Sequence, residues 1–441
     1  MMFGGLIILV LFTLLILSGA IPGLKKKEVL RANLEMWGFK SEALMKDFIS
    51  RKQDPAIAGI IVKYREIQEE QYESILINAL AEGTGPDIFM LKDSQIFKHK
   101  NKLEPLKKTD GTESVSAMSA ENFKNTFVDA THTGLLENNG EILGLPLFLD
   151  TLALFYNKDT FNSANIPNPP QTWDEFLIAA ETMSKISPIG DIIESGAALG
   201  ETLNIEHFID IISVLIFQSG GEIIDQEKPE SVIYKGITEK QKDGTVRTVI
   251  PAEKALSFYT SFANPQKENY SWNKGKQNSL NAFVAGDTAM YIGFAKDIPV
   301  IKAKNPHLNF GIAPFPQLKG AKTKINYGRF DFLAVSRLSQ NKDTAQAYIL
   351  YITSKEPNAD YLLKSGLPPA RRDLITTDSK TPAELRVFYG QSLSAKSWLI
   401  PDENQIYLIF KDIVESLSSK IFSPSTILTR ANDRLNQLLK K

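Results

Sequence analysis

The stretch that most constrains this chain is Leu145 to Phe176, LPLFLDTLALFYNKDTFNSANIPNPPQTWDEF. Leu145 to Tyr156 is apolar and extended in character, which reads as a buried strand. Asp150 and Thr151 sit in the middle of it, and a polar pair among residues that want burial needs a reason. Asn157-Lys158-Asp159 ends the strand with turn chemistry, and Ile166 to Pro170 forms a proline-rich connection. Thr172 then caps a helix whose third residue beyond the cap is Glu175, the pattern of a capping box. Strand, turn and capped helix in this order specify a mixed α/β fold. At 441 residues the chain exceeds the roughly 250–300 at which single cores stop growing, so two domains are expected.

Several function classes drop out on composition. With 50 basic and 51 acidic residues the chain lacks the positive footprint that nucleic-acid binding requires. The absence of cysteine removes disulfides, thiolate-bound zinc and catalytic thiols together. His99, His132, His207 and His307 are scattered without metal-ligand spacing, and neither a nucleophile elbow, a Walker loop nor a dinucleotide fingerprint is present. No cofactor is expected, and a transporter's ATPase would have to be a separate chain.

The remaining chain reads as alternating strands and helices. Val29 to Phe39 is a first strand with Trp37 at its end, Ser41 to Ile49 a helix and Ala58 to Tyr64 a second strand, a βαβ start that implies a parallel sheet. Gln71 to Ala81 is helical in pattern, and Gly83-Thr84-Gly85-Pro86-Asp87 breaks into a short strand from Ile88 to Leu91, followed by Lys92 and Asp93. From Thr172 through Gly221 the pattern is mostly helical. Lys242 to Thr245 is a hairpin tip between Val232–Tyr234 and Val246–Ile250. NAFVAGDTAMYIGF, Asn281 to Phe294, gives a helix, a Gly-Asp turn and a strand; Asn309 to Phe315 and Ile325 to Ser336 are further strands, the latter interrupted by Arg329-Phe330. Glu403 to Lys441 is helical.

Three of these segments, "YNKD…PPQTWDEF", "GPDI" and "F..G.TAM", together resemble the extracellular solute-binding proteins of ABC importers, in the maltose-binding-like carbohydrate group. The resemblance implies a two-lobe, type II periplasmic-binding-protein-like α/β fold, with a hinge of about three crossing segments: Leu145–Tyr156, Ile325–Ser336 and Ser365–Pro369. It implies lobes of residues 30–147 plus 318–365 and 148–317 plus 366–441. It also implies a binding protein rather than an enzyme, which takes a small solute, a sugar by analogy, and passes it to a permease.

Sugar recognition uses aromatic faces for the C–H side of a ring and planar polar groups for hydroxyls. Trp37, Asp93 and Asp150 match ligand-contacting places of that family, with Asn204 a weaker match. Thr151, Phe294, Arg329 and Phe330 complete the candidate set by their positions at strand ends and breaks. The strand ending at Phe294 lacks the family's usual "GPW", so a maltose-type stacking platform is missing or replaced. Arg329 in an apolar strand would suit a carboxylate or phosphate on the ligand, or else a structural ion pair.

Met1 to Leu24 carries no charged side chain, which addresses the N-terminus to a membrane. Ser18-Gly19-Ala20 is a small-residue pattern compatible with signal cleavage before Ile21, and without cleavage the run is long enough to anchor. Lys25 to Lys27 would by charge alone place the domain inside; the family resemblance places it on the outer face, anchored or released. A membrane-anchored carbohydrate-cleaving enzyme and a sensor or scaffold with the same fold are the alternatives.

Overall fold

A computed structural model describes residues 30–50, 54–108, 117–240, 244–376 and 381–440. The apolar N-terminal run, its cleavage motif and the three lysines lie outside these residues, as do Lys242 and Asp243 of the expected hairpin tip. Among the described residues no helix is long and apolar enough to cross a membrane.

The chain opens with β1 (Arg31–Gly38), β2 (Gly59–Glu66), β3 (Ile88–Lys92) and β4 (Leu103–Glu104), with β1 lying parallel between β2 and β3. The intervening helices are Glu42–Ile49, capped by Ser41, whose side chain accepts from the Leu44 N–H, and Glu69–Ala81, which starts two residues before the expected Gln71.

The expected crossing strand is three strands, β5 (Leu145–Pro146), β6 (Asp150–Thr151) and β7 (Ala153–Asn157). Next come β8 (Lys185–Ile186) and β9 (Ile192–Ala197), then two hairpins, β10 (Ile224–Asp225) with β11 (Glu230–Ser231) and β12 (Ile237–Lys240) with β13 (Val246–Val249). β14 (Thr288–Gly293) and β15 (Phe310–Pro314) follow, the chain returns through β16 (Asn326–Arg329) and β17 (Asp331–Ser336), and β18 (Ala395–Lys396) is last.

Pairing explains the breaks. β5 joins β17 in a first sheet ordered β2-β1-β3-β17-β4; β7 joins a second sheet ordered β15-β7-β14-β9-β8; β6 and β16 lie between, in a small sheet closed by β18. A segment that must pair with three sheets cannot keep one straight ladder, so it bends between them. The single strand expected over Ile325 to Ser336 divides for the same reason, at Phe330.

Two main cores result. One gathers Leu34 to Leu149 and Phe330 to Ala370, the other Leu152 to Tyr327 and Trp398 to Leu435. A smaller cluster around Phe155, Phe283 and Phe388 packs beside the second. The molecule is thus a two-lobed α/β structure with β6 and β16 running between the lobes.

Three expectations differ. The region from Thr172 to Gly221, expected to be mostly helical, holds two helices, Trp173–Met183 and Phe208–Gln218, and between them Ile192 to Ala197 is taken up as a strand between β14 and β8. The hairpin pairs Ile237–Lys240 with Val246–Val249, while Ile233 is buried in the core and Val232 to Lys235 form a turn. Ser365–Pro369 does not leave the first core: Leu367 and Ala370 pack there, and the chain meets the cluster beside the second core at Leu385.

Candidate functional site

Asp150 on β6 faces Arg329 on β16 across an antiparallel pair, with Thr151 opposite Gly328. Side chains alternate along a strand, so Asp150 and Arg329 share one face of this linking sheet and Thr151 takes the other. Thr151 is fully buried and its hydroxyl finds no partner among the described residues. Although Asp150 and Arg329 are register partners, each reaches elsewhere.

The Asp150 carboxylate accepts the N–H groups of Ala295 (2.9 Å) and Lys296 (3.0 Å), at the start of the helix Asp297–Lys304. Burial pushes its pKa up to about 7, against the pull of those two N–H groups. Asp297 completes the corner: it accepts the N–H of Phe294 (2.9 Å) and the hydroxyl of Tyr291 (2.9 Å), and its Oδ2 lies 3.1 Å from His207 Nε2. Burial raises the Asp297 pKa, but His207 and the Phe294 N–H outweigh it and hold the carboxyl below its ordinary value. His207 has φ +59°, the left-handed region, and its ring meets Phe294 edge-on at 4.7 Å. Phe294 is buried, with the Lys296 ammonium 5.5 Å from its ring centre, so neither face lies open as a platform.

Arg329 is held from both lobes. Its Nε and Nη2 donate to Asp210 Oδ1 at 3.0 and 2.6 Å, and Nη1 donates to Asp93 Oδ1 at 3.4 Å. Asp210 belongs to the helix Phe208–Gln218 of the second lobe, and Asp93 follows β3 of the first. The guanidinium carbon stands 5.4 Å from the Tyr327 ring centre. Burial lifts Asp93 to about 7, although Arg329 pulls it down and the carboxylates of Asp210, Glu403 and Asp331 push it further up. Asp93 Oδ2 is buried without a hydrogen-bond partner among the described residues. Next to it the Ser94 hydroxyl donates to Glu403 Oε2 (3.1 Å), a second tie between the lobes. Lys40 pairs with Asp331 at 2.7 Å and Lys92 with Glu69 at 2.5 Å. Arg329 is therefore engaged by protein carboxylates, the ion-pair alternative of the two that its position allowed.

Asp93, Asp150, Phe294 and Arg329 thus gather around the linking strands. Phe330 turns into the first core and is buried. Trp37 is not brought to this cluster. It is buried, Arg65 lies 4.6 Å from its ring centre, and both line a groove of about 440 Å³ with Glu35, Lys63 and Glu66. Asn204 donates from its amide to the carbonyls of Asn273 and Lys276, both at 2.9 Å, and so staples a loop of its own lobe. The residues missed are Asp210, Glu403, Ser94, His207 and Asp297. Asp210 was visible as a lone charge in the apolar run FIDIISVLIF; the others carry no local signal.

Among the described residues no group of three or more His, Cys, Asp or Glu could hold a metal ion. What the site offers is hydrogen bonding from both lobes.

The family model of the bacterial extracellular solute-binding protein matches residues 52–359. The chain belongs to this family. Among solute-binding relatives, a putative binding protein of Brucella abortus (strain 2308) is 23% identical over 388 residues, covering 87% of each chain. The sn-glycerol-3-phosphate-binding periplasmic protein UgpB of Salmonella typhimurium is 23% identical over 333 residues, 69% of this chain and 68% of that one. The structure of the sugar-binding protein MalE from Xanthomonas citri superposes with a TM-score of 0.72 at 19% identity, covering 93% of this chain and 98% of that one. The fold is accordingly the two-lobe, type II solute-binding fold, and the family and these relatives are binding proteins.

Proposed function

We propose that this solute-binding protein captures a small carbohydrate or related polyol between its lobes and delivers it to an ABC permease whose ATPase is a separate chain. The observation that carries the reading is Arg329: a residue on a linking strand, bonded at once to Asp93 of one lobe and Asp210 of the other. Polar groups contributed by both lobes and by the strands between them are what a closing cleft needs, because a ligand touching both lobes favours their approach. The relatives that bind a sugar and a glycerol phosphate support a hydroxylated ligand. The protein works on the outer face of the cytoplasmic membrane, held by residues 1–24 or released after Ala20.

Thermal unfolding against neutral mono-, di- and oligosaccharides, acidic sugars and polyol phosphates tests this. A ligand at about 100 times its dissociation constant stabilises the fold by about 2.7 kcal/mol, a readily measured midpoint shift. A shift with the ligand recovered intact is expected; a ligand consumed would point to the hydrolase, and no shift across the panel would contradict capture.

A further inference from the structure

We infer that the hairpin of β10 and β11 is a strut between the lobes: its contact with Thr133 and Asn138 holds the cleft open and has to separate as the cleft closes, so residues remote from the solute set its affinity. The inference rests on the capture reading above and adds what tunes that cleft.

The linking sheet runs in the order β18-β16-β6, and the lobes meet differently at its two edges. At the β18 edge they touch. Ser397, next after β18, donates to the Ala130 carbonyl of the first lobe at 2.6 Å. Beyond it Gln226 reaches over from the second lobe, its side-chain nitrogen 3.2 Å and its oxygen 3.4 Å from the Thr133 hydroxyl. Asn138 donates to the Glu227 carbonyl at 3.5 Å. At the β6 edge, Asp150 holds the N–H of Lys296 in the second lobe. Burial raises the pKa of Glu69 in the first lobe, but Lys92, Lys40 and Lys296 outweigh it, so Lys296 lies within electrostatic reach. Yet among the described residues its ammonium makes no hydrogen bond or ion pair, and Glu69 is bonded to Lys92 of its own lobe. The gap is therefore at the β6 edge and the contact at the β18 edge. Rotation of the lobes about the strands between them that narrows the one must lengthen the other.

A strut must be stiff, and the hairpin is. Asp225 accepts the N–H groups of Glu227 (2.9 Å) and Lys228 (3.1 Å) across its tip, the Ser231 N–H donates to Asn436 at 2.8 Å, and Ile223, Ile224 and Ile233 are buried in the second core. Its hold on the first lobe is weak by comparison. A crevice of about 490 Å³ lies beside the contact, lined among others by Asp129 and Thr133 of one lobe, Glu222 and Gln226 of the other, and Lys396; Asp93, Asp150 and Arg329 do not line it. The lobes thus meet here at a tip and do not pack along a face. A hydrogen bond of this kind shifts an equilibrium by a factor of roughly two to ten. A solute that binds the closed form loses affinity by the factor with which the strut favours the open one.

The test loosens the strut and then locks it. Gln226 and Asn138 are exposed, and Gln226→Ala with Asn138→Ala removes the contact without touching the cleft. In the full-length protein, spin labels on Glu70→Cys and Glu181→Cys, one per lobe, should show more of the shorter interlobe distance in this variant with no solute added. Calorimetry with maltose, glucose and glycerol 3-phosphate should show any probe that the parent binds held about three- to tenfold more tightly. Conversely, Thr133→Cys with Gln226→Cys, bridged by a short bis-methanethiosulfonate, should weaken binding about tenfold or more, and dithiothreitol should restore it. An unchanged distance distribution, or unchanged or weaker binding by the alanine variant, overturns the strut and leaves capture standing. If the distances shift but none of the three probes binds, the strut stands and capture of these solutes falls.

Discussion

Replacing Arg329 by methionine removes the cation and keeps most of the apolar stem. It leaves the carboxylates of Asp93 and Asp210, each about nine-tenths buried, facing one another without compensation. Breaking a buried ion pair by removing one partner costs about 3–5 kcal/mol, and the bonds lost here, two to Asp210 and one to Asp93, place Arg329→Met in that range at pH 8. The cost depends on pH. Without the guanidinium, which pulls the Asp93 pKa down, Asp93 takes up its proton more readily beside the Asp210 carboxylate, so at pH 5 the deficit should shrink by at least ~1 kcal/mol. Replacing the whole triad, Asp93→Asn with Asp210→Asn and Arg329→Met, removes the uncompensated charge and should recover most of the loss. Urea unfolding followed by tryptophan fluorescence reads this in both lobes, since Trp37 belongs to the first core and Trp173, Trp272 and Trp398 to the second. A loss below ~1 kcal/mol, or a deficit equal at pH 5 and pH 8, would refute the assignment of Arg329 as the charge bridge.

The remaining predictions concern charge, capping and packing. In the folded protein Asp93 keeps its proton up to about pH 7, whereas an unfolded aspartate loses it near 4, so between these values the folded state holds the extra proton and stability falls as pH rises. Asp93→Asn lacks this slope, so relative to wild type it should gain up to about 1.4 kcal/mol per pH unit from pH 4 and level off near 7; a constant difference would count against the buried, protonated carboxyl. Thr172→Ala removes the acceptor of the Glu175 N–H and should cost about 1 kcal/mol in urea unfolding without changing ligand affinity. Gly196→Ala would set a methyl 2.0 Å from the Ala180 carbonyl oxygen, forcing β9 off its helix at a cost of roughly 3 kcal/mol; a neutral result would contradict the packing of that strand.

Local chemistry made much of the fold legible. The Thr172–Glu175 capping box forms as its spacing requires, and the glycine of the Gly286-Asp287 turn takes φ +83° at the end of the helix Ser279–Ala285. What depended on distant partners was hidden. A continuous apolar run cannot announce that it will pair with three sheets in twelve residues. Ile192 to Ala197 becomes a strand because β14 passes beside it and β8 pairs on its other edge. At the site, the acid in β6 was legible as a misfit, but its partners, the N–H groups of Ala295 and Lys296, lie 145 and 146 residues away. Trp37 looked like a platform from its place at a strand end. Its direction is set by the sheet, which turns it toward Arg65, and no local pattern encodes that.

The central claim, that a solute draws the two lobes together, is tested most directly by an interlobe distance. The chain contains no cysteine, so Glu70→Cys on the exposed face of the helix Glu69–Ala81 and Glu181→Cys on the helix Trp173–Met183 would carry spin labels at unique positions, one per lobe. Pulsed dipolar spectroscopy should give a broad or two-component distance distribution without ligand, collapsing to its shorter component with the best-binding sugar at saturation. A distribution that stays unchanged while calorimetry shows the sugar bound would contradict capture by closure.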